Sequence, residues 1–443
     1  MNPPELLAPA GTPEHLETAF AYGADAVYAG QPRYSLRVRN NSFKDVAALG
    51  AGIARAHQLG KRFYLVSNIA PHNDKVKSYL RDLAPILEHR PDALIMSDPG
   101  LIMLVRERWP DQPIHLSVQA NAVNWAAVEF WRRQGIQRVI LSRELALEEI
   151  RDIRDRVPAM ELEVFVHGAL CMAYSGRCLL SGYMNHRDAN QGACTNACRW
   201  NYQPVAHQQD QTGDLIATTG GGEAQEIAPK EILLQEPNRP GGFIPAYEDE
   251  HGTYIMNSKD LRAVQHVAEL ATIGVHSLKI EGRTKSTYYV ARTTQVYRRA
   301  IDEAVQGKPF DMALMDELEA LSNRGYTEGF LRRHPPKEYQ SYEQGTSFLG
   351  TQQVVGTIAD ADDRWLTIDV KNRFAPGDSL ELITPTGNLR FSASVMENRN
   401  GQAMAYAPGS GHVVRIPKPE RLPESLDFSY LTRIDSEEPR SLA

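Results

Sequence analysis

Short apolar runs and longer amphipathic segments alternate through the first 170 residues of this chain. Seven runs are recognisable, at residues 5–8, 25–28, 62–66, 93–96, 114–118, 138–141 and 162–166. Each is typical of a parallel strand buried on both faces. The segments between them have helical patterns, as after Thr12, a capping residue followed by Pro13, where Leu16 and Phe20 recur at i, i+4. The first 170 residues therefore read as serial βα units.

Serial βα units favour a (β/α)8 barrel over a doubly wound sheet. Residues 275–281 supply a closing strand, but residues 253–256 are also strand-like, which is one candidate more than a regular barrel requires. We therefore predict an α/β fold built on a distorted (β/α)8 TIM-like barrel. The sequence leaves open whether one strand is displaced or the barrel itself is irregular.

A chain of 443 residues exceeds what one hydrophobic core usually supports, so a second module is expected. Residues 1–340 are predicted to form the catalytic barrel, with an insertion at about 203–252 that follows the cysteines and is rich in Gly, Gln, Pro and acidic residues. The insertion is either a lid or a flexible loop. Residues 345–443 change to short strands and turns, which predicts a small C-terminal β-barrel domain.

Composition limits the setting and the partners. No apolar run approaches the roughly 20 residues needed to cross a bilayer, and the N-terminus lacks the pattern of a secretory signal. We therefore expect a cytoplasmic protein with no membrane partner. The net charge of −7 opposes indiscriminate nucleic-acid binding, although a local basic surface on an acidic body remains compatible with an RNA partner.

All four cysteines fall in one short stretch, at Cys171, Cys178, Cys194 and Cys198. Such clustering indicates four thiolates that converge on a metal centre, and the first cysteine lies just past the seventh predicted strand, at the catalytic mouth of a barrel. The spacing lacks the paired C-x2-C knuckles of zinc ribbons, which favours an iron–sulfur cluster over zinc. The compact three-cysteine loop of radical S-adenosylmethionine enzymes is also missing. A purely architectural cluster that pins the loop remains an alternative.

Residues 163–181, EVFVHGALCMAYSGRCLLS, resemble the signature of the U32 peptidase family. Further matching blocks lie at residues 7–11, 25–30, 257–261, 279–283 and 323–330. The length, the C-terminal β-module and residues 185–200 most resemble the members of this family that hydroxylate tRNA.

That resemblance implies formation of 5-hydroxyuridine at the tRNA wobble position (U34), with prephenate as co-substrate, without oxygen, and with a [4Fe–4S] cluster held by the four cysteines. The family's older label implies collagenase-like proteolysis, but neither H-E-x-x-H nor G-x-S-x-G occurs in the sequence. Proteolysis is therefore the second hypothesis, and a tRNA-binding accessory protein without turnover is the third.

A dianionic donor such as prephenate requires cationic partners, and guanidinium groups bind carboxylates best. Arg143 follows the sixth predicted strand, and Lys279 and Arg283 flank the end of the closing strand, so these three are the predicted donor-binding residues. The alternative is that each forms a structural ion pair, with Glu144 or Glu281 as the natural partners.

His167 ends the seventh predicted strand and is the candidate proton donor or acceptor beside the cluster, and Glu281 is the second catalytic candidate. A core histidine bonded to a carbonyl is the alternative for His167. Asn68, Gln119 and Asn121 also follow strands, where amides either contact substrate or tie loops together.

For tRNA, the sequence offers paired arginines with two aromatic residues as stacking surfaces. These are Arg37/Arg39, Arg298/Arg299, Arg332/Arg333, Tyr34 and Trp200. Most exposed arginines are simply solvated, so the C-terminal β-module as a unit is the stronger RNA-binding candidate.

Overall fold

The computed structural model describes residues 2–36, 42–170, 259–323, 325–332, 352–423 and 425–434. It also describes the backbone of seven short strands between residues 207 and 258 and at 340–341. The four cysteines, Arg37, Arg39, Trp200 and Arg333 lie outside the described residues.

Strands and helices alternate from residue 5 to residue 169, as the apolar runs predict. They are β1 (Glu5–Pro9), α1 (Pro13–Ala21), β2 (Ala26–Gly30), α2 (Val46–Gln58), β3 (Arg62–Ser67), α3 (Asn73–Leu87), β4 (Ala93–Met96), α4 (Pro99–Arg108), β5 (Ile114–Leu116), α5 (Trp125–Arg133), β6 (Arg138–Ile140), α6 (Leu147–Arg156) and β7 (Glu161–Ala169). Side chains start the helices where the sequence offers caps, since Thr12 accepts a hydrogen bond from the His15 amide and Asp98 accepts one from the Leu101 amide.

Within the described residues, further strands and three further α-helices follow along the chain. They are β8 (His207–Gln209), β9 (Leu215–Ala217), β10 (Lys230–Gln235), β11 (Phe243–Asp249), β12 (Gly252–Tyr254), β13 (Asn257–Ser258), β14 (Asp260–Arg262), α7 (Val267–Ile273), β15 (Ser277–Ile280), α8 (Thr287–Val305), α9 (Ala313–Glu319), β16 (Tyr326–Thr327) and β17 (Gln340–Ser341).

Eight parallel strands close into a barrel, which confirms the predicted TIM-like fold. Strands β1 to β7 pair in sequence order, and β15 pairs in parallel with both β7 and β1. Of the second candidate for closure, at 253–256, the structure describes residues 253 and 254, and these belong to β12, which pairs antiparallel with β11 in a three-stranded sheet with β10 and not with a barrel strand.

The barrel is distorted at β7, which is longer than its neighbours. Strand β14 runs antiparallel against its carboxyl end, with Asp260 opposite Ala169 and Arg262 opposite His167, and β16 extends this edge. The register between β7 and β15 also shifts between Lys279 and Ile280. Extra backbone therefore crowds the carboxyl end of β7, where the segment that carries the cysteines begins.

The C-terminal module is antiparallel throughout. Its strands are β18 (Gln352–Ala361), β19 (Trp365–Val370), β20 (Ser379–Thr384), β21 (Gly387–Ser392), β22 (Glu397–Asn398), β23 (Val413–Pro417) and β24 (Tyr430–Ile434). They form one seven-stranded sheet in the order β21-β20-β24-β18-β19-β23-β22 and enclose a hydrophobic cluster separate from the barrel core.

The module packs against helices α1 and α8 on the outside of the barrel. The Tyr22 hydroxyl contacts the carbonyl oxygens of Ile383 and Phe428 at 3.2 and 3.0 Å, and the Gln295 amide donates to the Thr384 carbonyl at 2.8 Å. Within the described residues, no helix combines the length and the apolar character needed to cross a bilayer.

Candidate active site

A column of charged side chains fills the barrel interior, where an all-apolar core would be usual. Glu5, Arg138, Glu163 and Lys279 are all almost completely buried. Arg138 Nη1 donates to Glu5 Oε1 at 2.6 Å and lies 3.3 Å from Glu163 Oε2, while Lys279 Nζ donates to Glu163 Oε1 at 2.7 Å. Buried charges persist only when they are paired and hydrogen-bonded, and this column satisfies that requirement with alternating signs.

Lys279 is the upper end of this column. Its Nζ lies 4.5 Å from the ring centroid of Tyr28 and 5.3 Å from that of Phe165, so two aromatic faces flank the ammonium. Burial lowers the pKa of Lys279, and the Glu163 carboxylate opposes that shift. Lys279 thus has a buried ion-pair partner, and it is Glu163 rather than Glu144 or Glu281.

Arg143 and Arg283 lie beside the same two rings. The Arg143 guanidinium carbon is 3.8 Å from the Phe165 centroid, and that of Arg283 is 5.6 Å from the Tyr28 centroid. Arg283 Nη1 also donates to Ser35 Oγ at 2.9 Å. The structure therefore brings the three predicted donor-binding cations together around Tyr28 and Phe165.

The alternative partners of these arginines are engaged elsewhere or stand apart. Over the described part of the chain, Arg143 forms no ion pair, and neither Glu144 nor Glu281 lies within ion-pair distance of Arg143 or Arg283. The Ser142 hydroxyl donates to Glu144 instead. Arg143 is half-buried, charged and stacked on a ring, which is a suitable arrangement for binding an anionic group.

The three predicted amides lie at the ends of β3 and β5 and are all partly exposed. Asn68 Nδ2 is 3.4 Å from Ser117 Oγ, and Asn68 Oδ1 accepts from the Leu36 amide. Asn121 adopts a left-handed conformation, with φ of 52°, and its Nδ2 donates to the Gln119 carbonyl. These bonds tie the loops at the barrel mouth together.

His167 is buried among three tyrosines and not exposed at the mouth. The ring centroids of Tyr289, Tyr297 and Tyr326 lie 5.7, 5.5 and 5.4 Å from its own. Burial lowers the pKa of His167 to about 3, so the imidazole is neutral at physiological pH.

The hydroxyl of Tyr297 lies beside the imidazole of His167. The Tyr297 hydroxyl gives its one proton to the Val166 carbonyl at 2.6 Å, so it can only accept from His167 Nδ1, 3.4 Å away. This arrangement favours the tautomer with the proton on Nδ1, and Nε2 has no hydrogen-bond partner among the described residues.

Glu281, the second catalytic candidate, is fixed next to His167 through its backbone. Its amide donates to the His167 carbonyl at 2.9 Å, and its carbonyl accepts from the Tyr289 hydroxyl at 3.0 Å. Gly168 permits this approach, because a Cβ at that position would lie 2.6 Å from the Glu281 carbonyl oxygen. The Glu281 carboxylate is half-buried.

The four predicted metal ligands follow directly on this region. Strand β7 ends at Ala169, and Leu170 is the last described residue before Cys171. Four thiolates are a donor set that iron–sulfur clusters accept, so the residues present fit such a cluster. The described residues themselves contain no cluster of three or more His, Cys, Asp or Glu side chains arranged to hold a metal ion.

Sequence reasoning missed the interior partners Glu5, Arg138 and Glu163, and the aromatic faces of Tyr28 and Phe165. A signal was present: a charged residue occurs within or at the start of five otherwise apolar runs, and Glu5, Arg138 and Glu163 are three of these residues. Because both faces of a barrel strand are buried, such a residue must have a buried partner.

One of the predicted RNA contacts needs correction. Tyr34 is completely buried and bonds to Ser78 and Asp82, so the prediction that it is a stacking surface is wrong. Arg298 and Arg299 are paired with acidic side chains, among them Asp25 and Glu317. Arg332 lies 3.7 Å from Glu328 and is exposed.

Comparison with known proteins agrees with the resemblance in the sequence. The profile of peptidase family U32 matches residues 11–341, and that of the peptidase family U32 C-terminal domain matches residues 350–427. The chain is 59% identical over 443 residues to tRNA hydroxylation protein P of Escherichia coli, covering 98% of this chain and 97% of that protein.

Two further relatives are similar over nearly all of this chain. The tRNA hydroxylation protein P of Haemophilus influenzae is 56% identical, with 97% of this chain and 96% of that protein covered. The 23S rRNA 5-hydroxycytidine C2501 synthase of Escherichia coli is 28% identical, with 98% of this chain but 61% of that longer protein covered.

Proposed function

This chain belongs to peptidase family U32, and on that premise we propose that it is a tRNA hydroxylase that forms 5-hydroxyuridine at the wobble position. Two relatives with 59% and 56% identity are named for tRNA hydroxylation. A third, more distant relative is named for a 5-hydroxypyrimidine of ribosomal RNA, which supports carbon 5 of a pyrimidine as the position modified.

The observation that carries the proposal is the cationic cluster of Arg143, Lys279 and Arg283 at the barrel mouth. Lys279 is paired with the buried carboxylate of Glu163, whereas Arg143 stacks on Phe165 and forms no ion pair within the described residues, so its guanidinium can bind an anionic ligand. A dianionic co-substrate such as prephenate matches this charge, since each carboxylate can bind a guanidinium or the ammonium. The rings of Tyr28 and Phe165 supply apolar walls for its carbon skeleton.

The cofactor of the proposed reaction is a [4Fe–4S] cluster held by Cys171, Cys178, Cys194 and Cys198. Bound there, it would supply either electrons or a Lewis-acid site. His167, neutral and with an unpartnered Nε2, is available to accept a hydrogen bond close to this segment. Partly exposed amides at the mouth, including Asn68 and Gln119, are the proposed contacts to the uracil edge.

The proposal is tested in cells that lack this gene and every parallel tRNA-hydroxylating enzyme. Nucleosides of purified tRNA are analysed by mass spectrometry after complementation with the wild type or with Arg143→Ala. We expect wild type to restore 5-hydroxyuridine and Arg143→Ala to restore little, while the control Arg132→Ala, on exposed helix α5, restores it fully. Failure of the wild type to restore the nucleoside contradicts the proposal.

Purified protein separates the alternatives. Prepared without oxygen, wild type should contain iron, and Cys194→Ala should lose it, whereas stoichiometric zinc would contradict the cluster. Turnover on tRNA should stop when prephenate is omitted. Cleavage of gelatin by the same preparation would revive the peptidase hypothesis, and tRNA binding without turnover under complete conditions would indicate an accessory protein.

A further inference from the structure

The Lys279 ammonium has more donors than the described structure uses. It carries three N–H groups, and one of them bonds to Glu163 Oε1 at 2.7 Å. Its other close neighbours are the faces of Tyr28 and Phe165. The side chain is almost completely buried, and the remaining N–H groups have no hydrogen-bond partner within the described residues.

Glu163 is held from the opposite side. Its second oxygen, Oε2, lies 3.3 Å from Arg138 Nη1, and Arg138 is itself fixed by Glu5 at 2.6 Å and Glu161 at 2.8 Å. Glu163 is fully buried, so the carboxylate cannot swing towards water. The position of Lys279 is therefore set by a chain of ion pairs that begins at the opposite end of the barrel.

We propose that Glu163 is a positioning residue, which keeps the Lys279 ammonium protonated and fixed as the floor of the anion site between Tyr28 and Phe165. The inference rests on the proposed function for the identity of the anion. It adds a role for a residue that touches no substrate and acts only through Lys279.

The charges around Lys279 show why one carboxylate matters. Glu163 on β7 faces it with negative charge, whereas Arg138 on β6 and Arg283 after β15 add positive charge. His115 on β5 is neutral, because burial lowers its pKa well below the usual value, and Tyr28 on β2 is neutral, because burial raises its pKa. Arg143, stacked on Phe165, is a further cation in the group. Without Glu163, burial and neighbouring cations would all favour the neutral amine.

The sign of the pH dependence follows. Burial already lowers the pKa of Lys279, and removing Glu163 lowers it further. In Glu163→Gln the ammonium should therefore lose its proton at a lower pH than in wild type. Above that pH, affinity for a dianion that needs the ammonium should fall by about tenfold per pH unit.

The test uses the full-length protein and two readouts. Lysine labelled with ¹³C and ¹⁵N reports the titration of Lys279, assigned with Lys279→Arg, and calorimetry measures prephenate binding from pH 6 to pH 9. The control is Glu161→Gln, which removes another carboxylate from Arg138 on the same strand but leaves the pair with Lys279 intact.

We expect Glu163→Gln to lower the Lys279 titration midpoint and to make prephenate binding weaken as pH rises, while Glu161→Gln behaves like wild type. An unchanged Lys279 titration in Glu163→Gln overturns the inference. If wild type fails to bind prephenate, the proposed function fails, while the titration still decides the role of Glu163.

If Glu163→Gln does not fold, Glu163→Asp is the second variant. It keeps the negative charge but shortens the side chain by one methylene, so the carboxylate lies farther from Lys279. We then expect Lys279 to stay protonated and prephenate to bind more weakly at every pH. Wild-type affinity in Glu163→Asp would show that the placement of this carboxylate is irrelevant.

Discussion

Arg138 is the residue whose loss should disturb the barrel most, and we develop the prediction for Arg138→Met. Its guanidinium bonds to Glu5 at 2.6 Å and to Glu161 at 2.8 Å, and lies 3.3 Å from Glu163. Met is unbranched and apolar, so the substitution removes the charge without leaving a large cavity.

The magnitude follows from what the change leaves behind. Glu5 keeps Arg62, at 2.5 Å, and the Tyr64 hydroxyl, and Glu163 keeps Lys279, so neither carboxylate is fully stranded. Glu161 is partly exposed and should contribute little. Breaking a buried ion-pair network by removing one partner usually costs about 3–5 kcal/mol when it leaves a charge uncompensated, so we expect a loss of unfolding free energy at the lower end, about 3 kcal/mol.

The loss should depend on pH. Burial by itself would raise the pKa of Glu5, but Arg138 and Arg62 outweigh it and hold the pKa below the usual 4.5. The ion pairs of the Glu5 carboxylate therefore stabilise the folded state above pH 4.5. This contribution to the unfolding free energy is lost as pH falls through the depressed pKa of Glu5. In Arg138→Met, burial should instead favour the protonated carboxyl of Glu5. The difference in unfolding free energy between the variant and wild type should therefore become smaller between neutral pH and about pH 3.

Urea unfolding followed by both fluorescence and circular dichroism measures the effect, with Arg132→Met as the control. Arg132 bonds to Glu129 at 2.6 Å on the exposed face of α5, and its removal should cost less than about 1 kcal/mol. A loss for Arg138→Met no larger than that of the control, or a loss independent of pH, would refute the role given to the buried column.

Two further substitutions test the site. Gly168→Ala should lower the unfolding free energy more than Gly307→Ala, as measured by thermal or urea unfolding. Both glycines have positive φ, which costs a non-glycine residue about 1–2 kcal/mol. Only at Gly168 would a Cβ also lie 2.6 Å from the Glu281 carbonyl oxygen. Equal losses would show that the close approach relaxes freely. Arg143→Lys keeps the charge but loses the planar stack on Phe165, 3.8 Å away, so prephenate affinity measured by calorimetry should weaken by about 1–2 kcal/mol with little change in stability. Unchanged affinity would place the donor elsewhere.

The barrel could be predicted from the sequence because its strands are local patterns, whereas the cysteine centre stays a prediction. Each strand is buried on both faces, so β1 to β7 appear as apolar runs without reference to their neighbours. The three cations were recognisable for a similar reason, since each follows or ends a strand whose carboxyl end must face the mouth of a barrel. The displacement of β12 could not be recognised, because residues 253–256 have the apolar composition of a barrel strand and only the pairing of β12 with β11 distinguishes it.

The tertiary structure alone decided which side chains are partners. Lys279 meets Glu163 because β15 closes the barrel against β7, in a register that places Leu278 opposite Val164 and Lys279 opposite Phe165. Tyr34 follows β2 in a loop, where the sequence predicts exposure. Its hydroxyl nevertheless bonds to Asp82 on α3, and its ring is buried. Sequence spacing determines which face a residue lies on, whereas closure of the sheet joins residues more than 100 positions apart, and the free energy of a buried charge depends on that distant partner.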